Sequence, residues 1–247
     1  MADSQSTFVE ILADRIQEVA TSDDLPSHHA WARVAAETLG YDVESCEFFE
    51  RNDSGIDFYH MGDSIFEVFQ CKLHESNDPL GVDASQPFDP EGVRDLGRAF
   101  DFLLGELKPH NIDPRLDSLK ARLREELELL RETLANTEDS VPKFTVNFVL
   151  VTLGDKLQPG THDAMKHLKA KLRKHATTEP GLQLGFQHLG IKELAEFFED
   201  PSRTAKGQKD TMDLHVGFRG PREEDSREKL ISANDLGVAL FGNRLTD

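Results

Sequence analysis

Apolar positions along this chain change period several times, and each change marks an element. Phe8, Ile11, Leu12, Ile16 and Val19 recur at steps of three and four, which predicts an amphipathic helix over Thr7–Ala20. A second helix is expected over His28–Leu39, opened by Ser27 and closed by Gly40. Tyr41–Glu50 reads as a strand, and Asn52-Asp53-Ser54-Gly55 as a turn. Ser64–Leu73 alternates, so Phe66, Val68, Gln70 and Lys72 share one face, and Ile65, Glu67, Phe69 and Cys71 the other. A hairpin from Phe58 to Ser64, turning at Met61-Gly62-Asp63, then brings Asp57 toward Gln70 and Lys72.

Further on, Val93, Leu96, Phe100, Leu103 and Leu104 predict a helix opened by Asp89 or Pro90. Pro109 and Pro114 bracket a turn, and a long helix over Pro114–Asn136 carries Leu116, Leu119, Leu123, Leu127, Leu130 and Leu134. That stripe fits a dimer seam and an intrachain helical hairpin equally. The β-branched run KFTVNFVLVTL (143–153) is the best central strand. A helix over Thr161–His175, a strand over Leu182–Leu189 and a helix over Ile191–Glu199 follow. This alternation predicts an α/β fold with a mixed sheet and helices on both faces. Residues 1–200 are read as one domain with a helical hairpin inserted at about 90–137, and 201–247 as a polar linker with a C-terminal extension. Met212–Phe218 is a further strand candidate within that extension.

Composition narrows the function classes only partly. The 247 residues include 46 acidic and 28 basic side chains, a net charge of −18, which argues against a general nucleic-acid binder. A local basic patch still operates on an acidic protein, and MKHLKAKLRKH supplies one through Lys166, Lys169, Lys171, Arg173 and Lys174. Its bland reading, a solvated face with Met165, Leu168 and Leu172 on the sheet, is weighed slightly ahead. Arg203, Lys206 and Lys209 extend the patch. Two cysteines, Cys46 and Cys71, give neither a disulfide framework nor zinc spacing. The absence of a basic leader and of an 18-residue apolar run predicts a cytoplasmic protein without a membrane span.

The chemistry centres on Asp57, Gln70 and Lys72. A polar pair on an otherwise apolar strand face is costly unless something uses it. Asp57, the Gln70 amide oxygen and the Cys71 backbone carbonyl make an oxygen set suited to Mg²⁺ or Mn²⁺. Lys72 then orients a water and offsets developing charge, as metal-assisted phosphodiester cleavage requires. Glu37 is expected to add a helix carboxylate, with Glu10 as the alternative. The bland counterpart makes Asp57 a turn residue and Lys72 an edge-strand charge. His28-His29, His60 and Trp31 are read as structural rather than as ligands or a stacking platform.

Gly55-Ile56-Asp57 followed by Gln70-Cys71-Lys72 resembles the PD-(D/E)xK nuclease superfamily in its D…QxK form, as in Mrr-type restriction enzymes. Leu39-Gly40-Tyr41 is similar to the helix end that precedes the Asp strand there. The stretch from Gly92 to Leu103 (GVRDLGRAFDFL) closely resembles a helix of the abortive-infection phage-resistance family. Val149–Thr152 with Gly154 resembles that family's next strand, and Leu240–Arg244 the segment opening its following domain. The resemblance implies a restriction-endonuclease-like fold and a role in antiphage defence, with Asp57, Gln70 and Lys72 as active-site positions. It implies cleavage of DNA in preference to RNA, by a homodimer or by one subunit of a larger system. The chain is then a fragment, a short relative or such a subunit. A different class also fits: a nuclease-fold binding or assembly module without turnover, favoured by the acidic charge and by Gln where a carboxylate is usual.

Overall fold

A computed structural model of the chain describes residues 2–50, 53–62, 64–76, 81–105, 112–136 and 143–199, with side chains between residues 7 and 198. The linker and extension expected over 201–247, including the Met212–Phe218 strand, lie outside the described residues.

Among the described residues six α-helices and five strands follow one another: α1 (Ala2–Ser22), α2 (Ser27–Thr38), β1 (Glu47–Phe48), β2 (Phe58–Met61), β3 (Ile65–Lys72), α3 (Glu91–Leu103), α4 (Pro114–Asn136), β4 (Phe144–Thr152), α5 (Pro159–Ala176), β5 (Leu182–Leu189) and α6 (Ile191–Glu199). The strands form one sheet in the order β1-β2-β3-β4-β5. β1, β2 and β3 pair antiparallel, while β3, β4 and β5 run parallel. The expected mixed α/β sheet with helices on both faces is therefore present.

Period-two alternation in β3 and β4 divides the core. Phe66, Val68, Phe148 and Leu150 pack with Leu96 and Phe100 of α3, Leu119 and Leu123 of α4, and Leu168 and Leu172 of α5. Phe69, Cys71, Val149 and Val151 pack on the other face with Leu12 and Ile16 of α1, Trp31 and Val34 of α2, and Leu194 of α6. Burying both faces explains why β4 reads as a continuous apolar run. The leucine stripe of α4 is spent inside the chain: Leu116, Leu119, Leu123, Leu127 and Leu130 are all buried in the first cluster, with Leu134 packed against it. The intrachain reading holds, and the stripe supplies no dimer seam.

The expected strand over Tyr41–Glu50 is not formed as such. Val43–Ser45 is a single 3₁₀ turn, and only Glu47–Phe48 is extended within the sheet. The Asp42 side chain accepts the Glu44 N–H, and Ser45 Oγ donates to the Asp42 carbonyl. Such local bonds offer the backbone an alternative to a ladder.

Two glycines set how closely α3 approaches the sheet. Gly55 has φ +86°, and a Cβ there would stand 2.2 Å from the Asp95 carbonyl oxygen. A Cβ on Gly92 would stand 2.7 Å from Leu150 Cδ1 and 3.1 Å from Lys72 Cγ. The turn before Asp57 and the start of α3 are thereby pressed against the same strand end.

Candidate active site at the end of strand β3

Asp57 enters the sheet one residue before β2, where its N–H donates to the Phe69 carbonyl at 2.9 Å. Its carboxylate turns toward β3, and Oδ2 accepts from Gln70 Nε2 at 2.6 Å and from the Cys71 N–H at 2.5 Å. Antiparallel alternation puts the Cys71 carbonyl on the β2 side, one pair beyond that of Phe69. Gln70 is buried, and its Oε1 has no hydrogen-bond partner. An orphaned acceptor in a protein interior is costly, and next to a carboxylate it is complementary to a cation. The Gln70 amide presents Nε2 to Asp57; with the amide turned, its oxygen, the carboxylate and the Cys71 carbonyl are the ligand types that a hard divalent ion takes while retaining several waters. Among the described residues no group of three or more His, Cys, Asp or Glu side chains is close enough to hold a metal, so such a site would depend on the amide and the carbonyl.

Lys72 closes the strand and shares the Gln70 face. Its Nζ stands 2.8 Å from Asp95 Oδ2, and Arg98 bonds the other oxygen of the same carboxylate. Asp95 is only 5% exposed. Burial alone would push the Lys72 ammonium toward neutrality. The hydrogen bond and charge of Asp95, with Asp57 and Glu91 behind it, outweigh that and hold its pKa above the ordinary lysine value. Asp57 responds in the opposite sense. Burial drives its pKa up to about 7, Asp53 and Asp95 add repulsion, and the Cys71 N–H and the Lys72 charge resist.

Asp57, Gln70, the Cys71 backbone and Lys72 are thus brought together, but Glu37 is not among them. Both Glu37 oxygens accept from Arg15 of α1, each at 3.0 Å, on the face opposite Lys72. Glu10, the alternative, is exposed on α1. The helix carboxylate beside Lys72 is Asp95 of α3. A sequence signal for it existed. Asp95 stands three residues after Gly92 and four before Ala99, both buried, so it sits within the apolar stripe of its helix.

His60 pairs in register with Glu67, and both face α2. Its Nδ1 lies 3.7 Å from the Glu67 carboxylate, away from Asp57. Glu67 is buried and accepts the Tyr41 hydroxyl at 2.6 Å. Trp31 is a fully buried core residue. On α5, Leu168 and Leu172 face the core, and the cations point outward. Lys169 and Lys171 lie over the Phe186 and Phe100 rings, Lys171 also pairs with Asp101, and Lys166 stands 3.6 Å from Asp163.

A cavity of about 290 Å³ lies away from the cluster, among Leu104, Leu127, Arg131 and His175. A smaller crevice beside α2 is lined by His29, Phe48, Glu50 and Asp57. Lys72 lines neither. No helix among the described residues is long and apolar enough to cross a membrane. Compared with protein-family models, curated proteins and solved structures, the chain matches none.

Proposed function

We propose that the chain is a metal-dependent nuclease of the PD-(D/E)xK kind, acting on DNA in preference to RNA in antiphage defence. The observation that carries this reading is the buried Gln70 Oε1, left without a hydrogen bond beside a carboxylate whose pKa is raised to about 7. Asp57, Gln70 and the Cys71 carbonyl would hold Mg²⁺ or Mn²⁺, which when bound supplies Lewis-acid stabilisation of the phosphate charge. Asp57 is the anionic anchor. Gln70 contributes a neutral oxygen, so the set carries one negative charge and favours a loosely held ion. Lys72, fixed by Asp95, presents a permanent positive charge at the strand end, where it offsets charge developing on a phosphodiester. The outward cations of α5 supply the electrostatic track for a nucleic-acid backbone.

The test is cleavage of labelled single-stranded and duplex DNA and RNA by purified protein with Mg²⁺ or Mn²⁺, beside Lys72→Ala. The expected result is metal-dependent cleavage abolished by the substitution. Cleavage that survives it assigns the activity to other residues or to a contaminant.

A second reading, an assembly module with the same fold and no turnover, is favoured by one observation. Lys72 and Asp57 are both engaged by partners within the chain, and Lys72 lines neither crevice. It predicts no cleavage of any of the four substrates with either metal.

A further inference from the structure

The polar row that starts at Asp57 does not stop at Lys72. The parallel strands β3, β4 and β5 end side by side at Lys72, Thr152 and Leu189. Lys72 pairs in register with Thr152, and Leu150 pairs with both Gln70 and His188. Register partners in a parallel sheet share a face, so Gln70, Lys72, Thr152 and His188 all point to the side covered by α3 and α5. The carboxyl ends of parallel strands are where open α/β sheets take their ligands.

Thr152 is fully buried, and its one hydroxyl proton is committed. Oγ1 donates to the Gly154 carbonyl at 2.7 Å and also lies 2.8 Å from His188 Nε2. A hydroxyl has a single proton, so toward His188 it is the acceptor. His188 Nε2 therefore carries the ring hydrogen, and Nδ1 keeps the lone pair. The ring is half-buried. Burial lowers its pKa, Glu193 of α6 and Asp155 of the β4–α5 connection work against that, and His162 of α5 adds to the lowering.

Two nearby features leave a proton acceptor as the unfilled role. The Lys72 ammonium is held by Asp95 at 2.8 Å, a charged donor rather than a base. The amino end of α6 is already served by carboxylates, since Glu193 accepts the Gly190 N–H and Asp155 accepts the Lys192 N–H, so it offers no place for a phosphate.

We propose that His188, oriented by Thr152, is a further residue of this site and takes the proton from the water that attacks the phosphodiester. The inference rests on the nuclease reading above. In the step, a water O–H bond breaks and its proton passes to His188 Nδ1. The freed electron pair forms the new P–O bond. The P–O bond to the leaving nucleoside oxygen breaks with its electron pair, and that oxygen takes a proton from solvent.

The experiment compares wild type, His188→Gln, His188→Ala and Thr152→Val on the same labelled DNA and RNA, at saturating Mn²⁺ from pH 5.5 to 9. Loss of a positioned base slows cleavage by about a hundredfold or more. His188→Gln is expected to show that loss, with the acid limb of its pH–rate profile less steep by one proton and its melting temperature within a few degrees of wild type. Added imidazole is expected to restore part of the His188→Ala rate. Independently of activity, ¹⁵N NMR is expected to find His188 as the Nε2–H tautomer in wild type and to lose that preference in Thr152→Val. Wild-type rates in His188→Gln, an unchanged acid limb in a slow variant, or an Nδ1–H tautomer in wild type each overturn the assignment. If wild type cleaves no substrate, the nuclease reading falls and takes this inference with it. If wild type cleaves and His188→Gln keeps pace, only the role of His188 is lost.

Discussion

Replacing Asp57 by Asn should stabilise the metal-free protein and, on the nuclease reading, abolish cleavage. The Asp57 pKa of about 7 in the folded chain stands above the unfolded value near 4. Between those values the folded state keeps a proton that the unfolded state has lost. The stabilising contribution of the protonated carboxyl is therefore complete below about pH 4 and is lost as pH rises through about 7. Three pKa units correspond to about 4 kcal/mol, and relaxation around an ionised group brings the working figure to roughly 2–4 kcal/mol above pH 7. Asn keeps an acceptor for the Cys71 N–H and for Gln70 Nε2, and it never ionises. Thermal unfolding in EDTA across pH 4–8 should show Asp57→Asn melting with wild type at pH 4 and roughly 5–15 °C above it at pH 8. Equal melting temperatures at pH 8, or a gap that widens toward acid, would refute the burial of an ionising carboxyl at this position.

Four further outcomes follow from the geometry. Lys72→Met leaves Asp95 with Arg98 as its one cation among the described residues, so urea unfolding should show a loss of about 2–3 kcal/mol, largely recovered in Lys72→Met/Asp95→Asn. Gly55→Ala must fit a Cβ at 2.2 Å from a backbone oxygen and hold a left-handed φ, so it should cost about 3 kcal/mol or more and reduce the soluble yield. Glu37→Gln loses only an exposed pair with Arg15, so its unfolding free energy should move by less than about 1 kcal/mol, with cleavage at the wild-type rate. Charge reversal at Lys166, Arg173 and Lys174 should weaken binding to all nucleic-acid sequences alike and flatten the salt dependence of affinity measured by anisotropy, by about 0.9 in log–log slope for each phosphate contact removed.

Much of the scaffold was legible because burial leaves a period. The split of β3 into a Phe66–Val68–Gln70–Lys72 face and a Phe69–Cys71 face followed from alternation alone, and it placed the polar pair correctly. The β4 run and the α4 stripe were equally visible. Which surface the α4 leucines meet was not, since a seam between chains and a seam within one share the same spacing. Tyr41–Glu50 misled because its apolar content suits a strand, while Asp42 and Ser45 satisfy the local backbone instead. Glu37 looked available because nothing in the sequence reveals that Arg15 holds it. Asp95 comes beside Lys72, and His188 beside Thr152, only through the packing of α3 and the register of β5, both long-range facts. The glycines at 55 and 92 that let α3 come close could be read as turn and helix glycines but not as contact points.

The most direct measurement is a Mn²⁺ titration of the metal-free protein, followed by EPR, for wild type, Asp57→Asn and Gln70→Ala. The expected result is one bound ion per chain in wild type, none in Asp57→Asn, and a weakened site in Gln70→Ala. An ion that binds with wild-type affinity to both variants, or a wild-type chain that takes up no ion, contradicts a divalent-metal site at the end of β3.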